Sequence, residues 1–185
     1  SQELKKENMV KIPLILESNK DWEEVIRRGY LQRKELEKIC EREGEPIRPI
    51  VLLQAEPDRK NAETITVEKI KEFLINQLKV KEEEIAIKVS GNNELEGKNL
   101  FAKSCKIRYI ITINALAEGW DCSFAYVLIS VANLSSKIAV EQIIGRVVRM
   151  PYAERRKNNI LNKAYVFASA NNFNEAAEQI ISGLK

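Results

Sequence analysis

Three unbroken apolar runs constrain this chain more than any other feature: "PIVLLQ" (49–54), "RYIITI" (108–113) and "YVLISV" (126–131). A strand with one wet face alternates apolar and polar side chains. A continuous run of this length is expected of a strand covered on both faces, the usual condition of a parallel sheet. "IAIKV" (85–89), "AYVFAS" (164–169) and "VKIPLIL" (10–16) are further strand candidates. Pro13 predicts an edge or irregular position for the last of these, because proline cannot donate to a ladder.

Longer amphipathic stretches lie between the runs. Residues 20–43 place Trp22, Val25, Ile26, Leu36, Ile39 and Cys40 on one stripe, and their balanced charges predict a solvated opposite face. Gly29 predicts a kink or a split in that helix. Residues 66–78 and 173–184 read as helices, and so does 135–149, with serine available as its cap. Pro151 disfavours helical geometry at Met150 and is expected to end that helix. Strands alternating with helices predict an α/β domain with a mainly parallel sheet, and right-handed crossovers put helices on both faces.

Composition excludes several kinds of chemistry. The chain has 185 residues and no histidine, which removes His-based acid–base and triad mechanisms. Its three cysteines, Cys40, Cys105 and Cys122, are widely spaced and form no C-x-x-C, so no metal site is expected and a reduced, cytoplasmic setting is the natural reading. The apolar runs are too short to span a bilayer, so no membrane partner is expected. The first eight residues are nearly all polar, so no signal peptide is expected. Net charge is +3, yet Lys137, Arg146, Arg149, Arg155, Arg156 and Lys157 against Glu141 and Glu154 give residues 137–157 a charge of +4 alone.

That segment also holds the chemistry. On a helix at 100° per residue, Gln142, Arg146 and Arg149 share one face, while Val140, Ile144 and Val147 face the other way, towards a sheet. Gly145 beside the polar face leaves room for a ligand or another backbone. A second candidate is the loop after the 108–113 strand, with Glu118, Gly119 and Asp121. Ligand crevices in open parallel sheets lie at the carboxyl ends of strands. Gly119 permits close backbone approach, and Asp121 can accept hydrogen bonds from a sugar hydroxyl. Taken singly, the arginines read as a solvated helix face and the acidic residues as a turn. Together they form a far more specific pattern.

"EGWD" followed by "QIIGRVVR" resembles motifs V and VI of superfamily two helicases and translocases. The longer strings "NALAEGWDCSFAYVL" and "VEQIIGRVVRMPYA" resemble the helicase (Res) subunit of type III restriction enzymes. "RPIVLLQAE" (48–56) sits where motif IV would, and "VSG" (89–91) where a shorter motif of the same domain follows its strand. The resemblance implies a three-layer RecA-like domain over 48–185, the second of two, with residues 1–47 as an N-terminal strand and helix segment or interdomain linker. It implies that ATP binds in the cleft between the two domains. Arg146 and Arg149 would be arginine fingers reaching the γ-phosphate, and Gln142 would couple the cleft to domain closure. Gly119 and Asp121 would lie near the nucleotide, Asp121 towards the ribose. Ser90, Gly91 and Asn114 would face nucleic acid, although Ile113-Asn114-Ala115 stands where many relatives have a threonine.

The chain lacks the rest of an ATPase. The nearest match to a Walker A loop is "GNNELEGKN" (91–99), which has one residue too many between its glycines and ends in Asn99, so a solvated loop is expected. No strand ends in an Asp-Glu magnesium motif. The phosphate cradle and Mg2+ are therefore expected on an N-terminal RecA-like domain upstream in a longer polypeptide. The implied function is the second motor domain of an ATP-dependent translocase on double-stranded DNA, within a type III restriction-modification system and beside its methyltransferase subunit. An RNA or repair helicase of the same superfamily is the alternative, as is a non-catalytic α/β partner-binding module.

Overall fold

The computed structural model describes residues 10–18, 21–113, 122–132, 137–169, 175, 177–179 and 182. Among these, the strands β1 (Ile12–Ser18), β2 (Ile50–Gln54), β3 (Ile85–Val89), β4 (Asn92–Asn93), β5 (Tyr109–Thr112), β6 (Ala125–Ser130) and β7 (Lys163–Ala168) form one sheet in the order β1-β7-β6-β2-β5-β3-β4. Every ladder is parallel except β3–β4. This is the predicted α/β class with a mainly parallel sheet. The three continuous apolar runs are its centre: every residue of β2, β5 and β6 is buried. Pro13 sits in β1, the edge strand, as its missing N–H requires.

Helices α1 (Trp22–Glu43) and α2 (Val67–Asn76) lie on connections that run in the same direction along the sheet, so right-handed crossovers place them on one face. There Trp22 of α1 meets Phe73 of α2 edge to face, with ring centroids 5.6 Å apart. Helix α3 (Lys137–Gly145) lies on the β6–β7 connection, which runs the other way, and covers the opposite face. Asp21 caps α1, accepting from the Glu23 N–H at 3.0 Å, and Gly44 ends it in the left-handed conformation with φ 67°.

Two expectations for α1 need correction. Gly29 neither kinks nor splits it, for the helix is continuous through that position. Glycine is there because a Cβ would lie 2.3 Å from Ile129 Cδ1 in β6, so its absence lets helix and sheet approach. Nor is the charged face wholly solvated. Arg33 is only 1% exposed. Its guanidinium donates to the Tyr109 hydroxyl at 3.3 Å and the Pro49 carbonyl at 3.2 Å, and pairs with Glu37 one turn on.

The 173–184 expectation falls mostly outside the described residues; residues 175, 177–179 and 182 are helical, with Ala177 in the core. The loop "GNNELEGKN" forms the β3–β4 hairpin and a run of exposed turns, not a phosphate cradle opening a helix. No described helix is long and apolar enough to cross a membrane.

Candidate functional site

Helix α3 ends at Gly145, four residues before its expected end at Arg149. Glycine is a poor helix former, and the next two amides turn back to carbonyls three residues away: Arg146 N–H to Ile143 at 3.1 Å and Val147 N–H to Ile144 at 3.0 Å. The chain then extends, and Arg149 forms an isolated antiparallel bridge with Val10. Met150 is extended as well, at φ −73° and ψ 137°, as a residue before proline should be. Gln142 therefore projects from the last helical turn, Arg146 from the tightened turn after it, and Arg149 from an extended segment. Ile143, Ile144 and Val147 are buried and pin this segment down, while Gln142 and Arg149 are exposed and Arg146 is half-buried. At Gly145 a Cβ would meet no described atom within 4 Å.

The early end of the helix decides which edge of the sheet carries the arginines. Strand β6 delivers the chain to the carboxyl edge. The nine residues of α3, about 13 Å long at a 1.5 Å rise, bring it back beside the amino ends of the strands. A buried lysine fixes it there. Lys11, just before β1, is 0% exposed, and its ammonium donates to the carbonyls of Ser123, Ala125 and Val147, each at 2.9 Å. It also lies 4.0 Å from the centroid of the Tyr126 ring, and the Lys11 backbone N–H donates to the Val148 carbonyl. A cation out of water needs such compensation. The arginine turn thus stands at the amino edge of the sheet; the crevice expected at the carboxyl ends concerns the Glu118–Asp121 loop.

Lys11 thus binds the arginine turn to the residues that directly follow Asp121. Gly119, Asp121 and Asn114 themselves lie outside the described residues. The described flanks of that loop are anchored at opposite edges. At the carboxyl edge, the Gln54 amide donates to the Ile113 carbonyl at 3.3 Å and its oxygen accepts from Ser130 Oγ at 2.9 Å. At the amino edge, Cys122 is buried and Ser123 is held by Lys11. Ser90 and Gly91 form the exposed β3–β4 turn at the carboxyl edge, where Lys88 pairs with Thr112. Gly91 has φ 82°, which that turn requires. Ser90, Gly91 and the residue before Asn114 therefore meet at the carboxyl edge, and the arginines stand at the other.

Sequence reasoning missed three features of the amino edge. Lys11 gave no signal, since a lone lysine before a strand looks solvated. Arg48 was overlooked: it donates to the carbonyls of Phe101 and Ala102 at 2.7 and 2.9 Å and lies 5.5 Å from the Phe124 ring centroid. Arg156 was counted in the basic excess, yet it is paired with Glu45 at 2.7 Å. Among the described residues no cluster of three or more histidine, cysteine or acidic side chains is placed to hold a metal.

No protein-family model matches the chain, and no curated protein matches it by sequence. Among solved structures it is similar to the C-terminal domain of S. cerevisiae Dbp5, a variant bound to Gle1 and IP6. The TM-score is 0.51 at 15% identity, covering 94% of this chain and 84% of that one. At such identity the likeness is one of fold, and the fold of this chain is the RecA-like α/β domain.

Proposed function

We propose that this chain is the second motor domain of an ATP-dependent superfamily two helicase or translocase, and that Arg146 and Arg149 act on a triphosphate held by a separate N-terminal RecA-like domain. The observation that carries the reading is the Lys11 clamp, which holds the arginine turn against the residues following Asp121. Support comes also from the motif strings and the RecA-like fold. The residues fit such a ligand: the stretch from Arg146 to Met150 has two guanidinium groups and no carboxylate. Guanidinium is planar, permanently charged and forked, which suits phosphoryl oxygens. ATP with Mg2+ supplies the phosphoryl group; this chain contributes fixed positive charge where negative charge develops during transfer. By the same resemblance, Gln142 couples the cleft to domain closure, and Gly119 and Asp121 contact the nucleotide, Asp121 at the ribose.

Nucleic acid is assigned to the carboxyl edge, through Ser90, Gly91 and Asn114. Ser90 and Gly91 lie at the carboxyl edge and the arginine turn at the amino edge, which supports separate sites for strand and nucleotide. The strings "NALAEGWDCSFAYVL" and "VEQIIGRVVRMPYA" favour double-stranded DNA and a cytoplasmic type III restriction system, with its methyltransferase subunit as a partner. The test is ATP hydrolysis and ATP affinity in the polypeptide carrying both domains, with Arg146→Ala and Arg149→Ala. Loss of turnover with retained affinity supports the reading, and unchanged turnover contradicts it.

A further inference from the structure

Two consecutive residues at the entry to β1 grip three consecutive residues of the arginine turn. The Val10 backbone bridges Arg149, the Lys11 N–H donates to the Val148 carbonyl, and the Lys11 ammonium donates to the Val147 carbonyl at 2.9 Å. Arg146 stands directly before this stretch and Arg149 ends it. The ammonium's own place is set by the sheet. It donates to the Ser123 and Ala125 carbonyls, each at 2.9 Å, while the Phe124 carbonyl between them accepts from the Ile50 N–H of β2 at 2.8 Å. This end of β6 is therefore tied on both sides. The Tyr126 ring, 4.0 Å from Nζ at its centroid, is itself anchored by its hydroxyl, which donates to the Leu161 carbonyl at 2.8 Å. Buried Ile144 and Val147 hold the inner side of the turn, but apolar contact is non-directional and leaves its slide along the sheet edge free. Hydrogen bonds from a charged donor are short and directional, and they fix that slide.

We propose that Lys11 is a positioning residue for phosphoryl transfer: it sets where Arg146 and Arg149 present their guanidinium groups, by holding the backbone between them in register with β6. The proposal rests on the proposed function, since it needs the arginines to act on phosphate. Lys11 is 0% exposed, so it acts through the turn and not on the ligand. Its chemistry suits the task. An ammonium carries three N–H donors in a pyramid and here meets three converging carbonyls. Glutamine has two such donors and methionine none, and the flat fork of arginine suits parallel acceptors instead. Placement of this kind bears directly on rate, because misplacing a reacting group by about 1 Å can cost about 10²-fold.

The test uses the polypeptide carrying both RecA-like domains, with kcat and ATP affinity measured per folded molecule, well below the unfolding midpoint of each variant. Lys11→Met is expected to lower kcat about 10²-fold with ATP affinity nearly unchanged. With Arg146→Ala and Arg149→Ala already in place, the same substitution should change kcat less than about twofold, because no guanidinium remains to be positioned. Gly29→Ala, which disturbs packing against Ile129 on the other face of the sheet, should keep the parent kcat. Should Lys11→Met not fold, Lys11→Gln carries the same test, with a smaller loss that again vanishes without the arginines. A parent-like kcat in the folded Lys11 variant, an equal loss with and without the arginines, a loss matched by Gly29→Ala, or failure of both Lys11 variants to fold overturns the inference and leaves Lys11 a structural cation. If Arg146→Ala and Arg149→Ala leave turnover at the parent value, the proposed function itself fails and the inference with it. A loss in those variants beside a parent-like Lys11→Met fails the inference alone.

Discussion

The ammonium of Lys11 donates to the carbonyl of Val147 at 2.9 Å, across 136 positions of sequence. The same group holds the Ser123 and Ala125 carbonyls, so one buried cation joins β1, the amino end of β6 and the arginine turn. Replacement by methionine keeps the length but leaves these carbonyls without their charged donor. Lys11→Met is expected to lower unfolding free energy by about 3 kcal/mol. Urea denaturation measures it; a loss under about 1 kcal/mol would mean that water replaces the ammonium freely.

Gly29→Ala tests the contact between α1 and β6. Helix propensity favours alanine by about 1 kcal/mol. The new Cβ would lie 2.3 Å from Ile129 Cδ1 and 2.6 Å from Cγ1, inside a packed core. Overpacking wins, and a net loss of about 1–2 kcal/mol is expected. Ile129→Ala in the same chain should recover the alanine penalty, giving a non-additive double-mutant cycle. Simple additivity would show that the helix shifts instead.

Alkaline pH should unfold the protein early. Burial, with Glu45 and Glu43 nearby, pushes the Cys40 thiol up to about 12, and burial likewise raises the phenols of Tyr109 and Tyr165 to about 12. Each group is neutral in the fold and loses its proton sooner in the unfolded chain, near pH 8.5 for the thiol and about 10 for the phenols. Stability is therefore complete below about pH 8 and falls as pH rises towards 12, by up to about 1.4 kcal/mol per pH unit for each titrating group. Cys40→Ala should flatten the curve between about pH 9 and 10, where the thiol acts alone. Parent stability constant up to pH 11 contradicts the burial argument.

Nucleic-acid binding by this chain alone should be weak and only mildly salt-dependent. The basic excess over 137–157 is smaller in practice than in sequence, because Arg156 is already paired with Glu45. Two or three phosphate contacts predict a slope of about −2 for log affinity against log salt. Titration between low and moderate salt checks this, and a slope steeper than about −5 would require a larger phosphate-binding surface.

The sheet was legible because burial on both faces leaves no polar alternation to confuse: β2, β5 and β6 fall within a residue of their apolar runs. β4 was not, since Asn92–Asn93 has no strand signature and pairs only because the Gly91 turn folds it back. The placement of the candidate site residues was less legible. Gln142, Arg146 and Arg149 fit one helical face by spacing. Gly145 ends the helix first, and the Val10 bridge extends Arg149, a tertiary contact no local pattern encodes. Buried Arg33 and Lys11 escaped for the same reason: their partners, Tyr109 and Val147, are remote in sequence.

The central claim is that Arg149 acts on transferring phosphate rather than on the fold. Its side chain is exposed, and its bridge to Val10 is made by backbone, so Arg149→Ala leaves that bridge in place. The most direct measurement is the ATPase rate and ATP affinity of Arg149→Ala in the polypeptide carrying both RecA-like domains. The account predicts a fall in kcat of about 10³-fold, roughly 4 kcal/mol of transition-state stabilisation, with ATP affinity nearly unchanged and little rescue by Arg149→Lys. Turnover close to that of the parent would contradict it and leave Arg149 a surface residue.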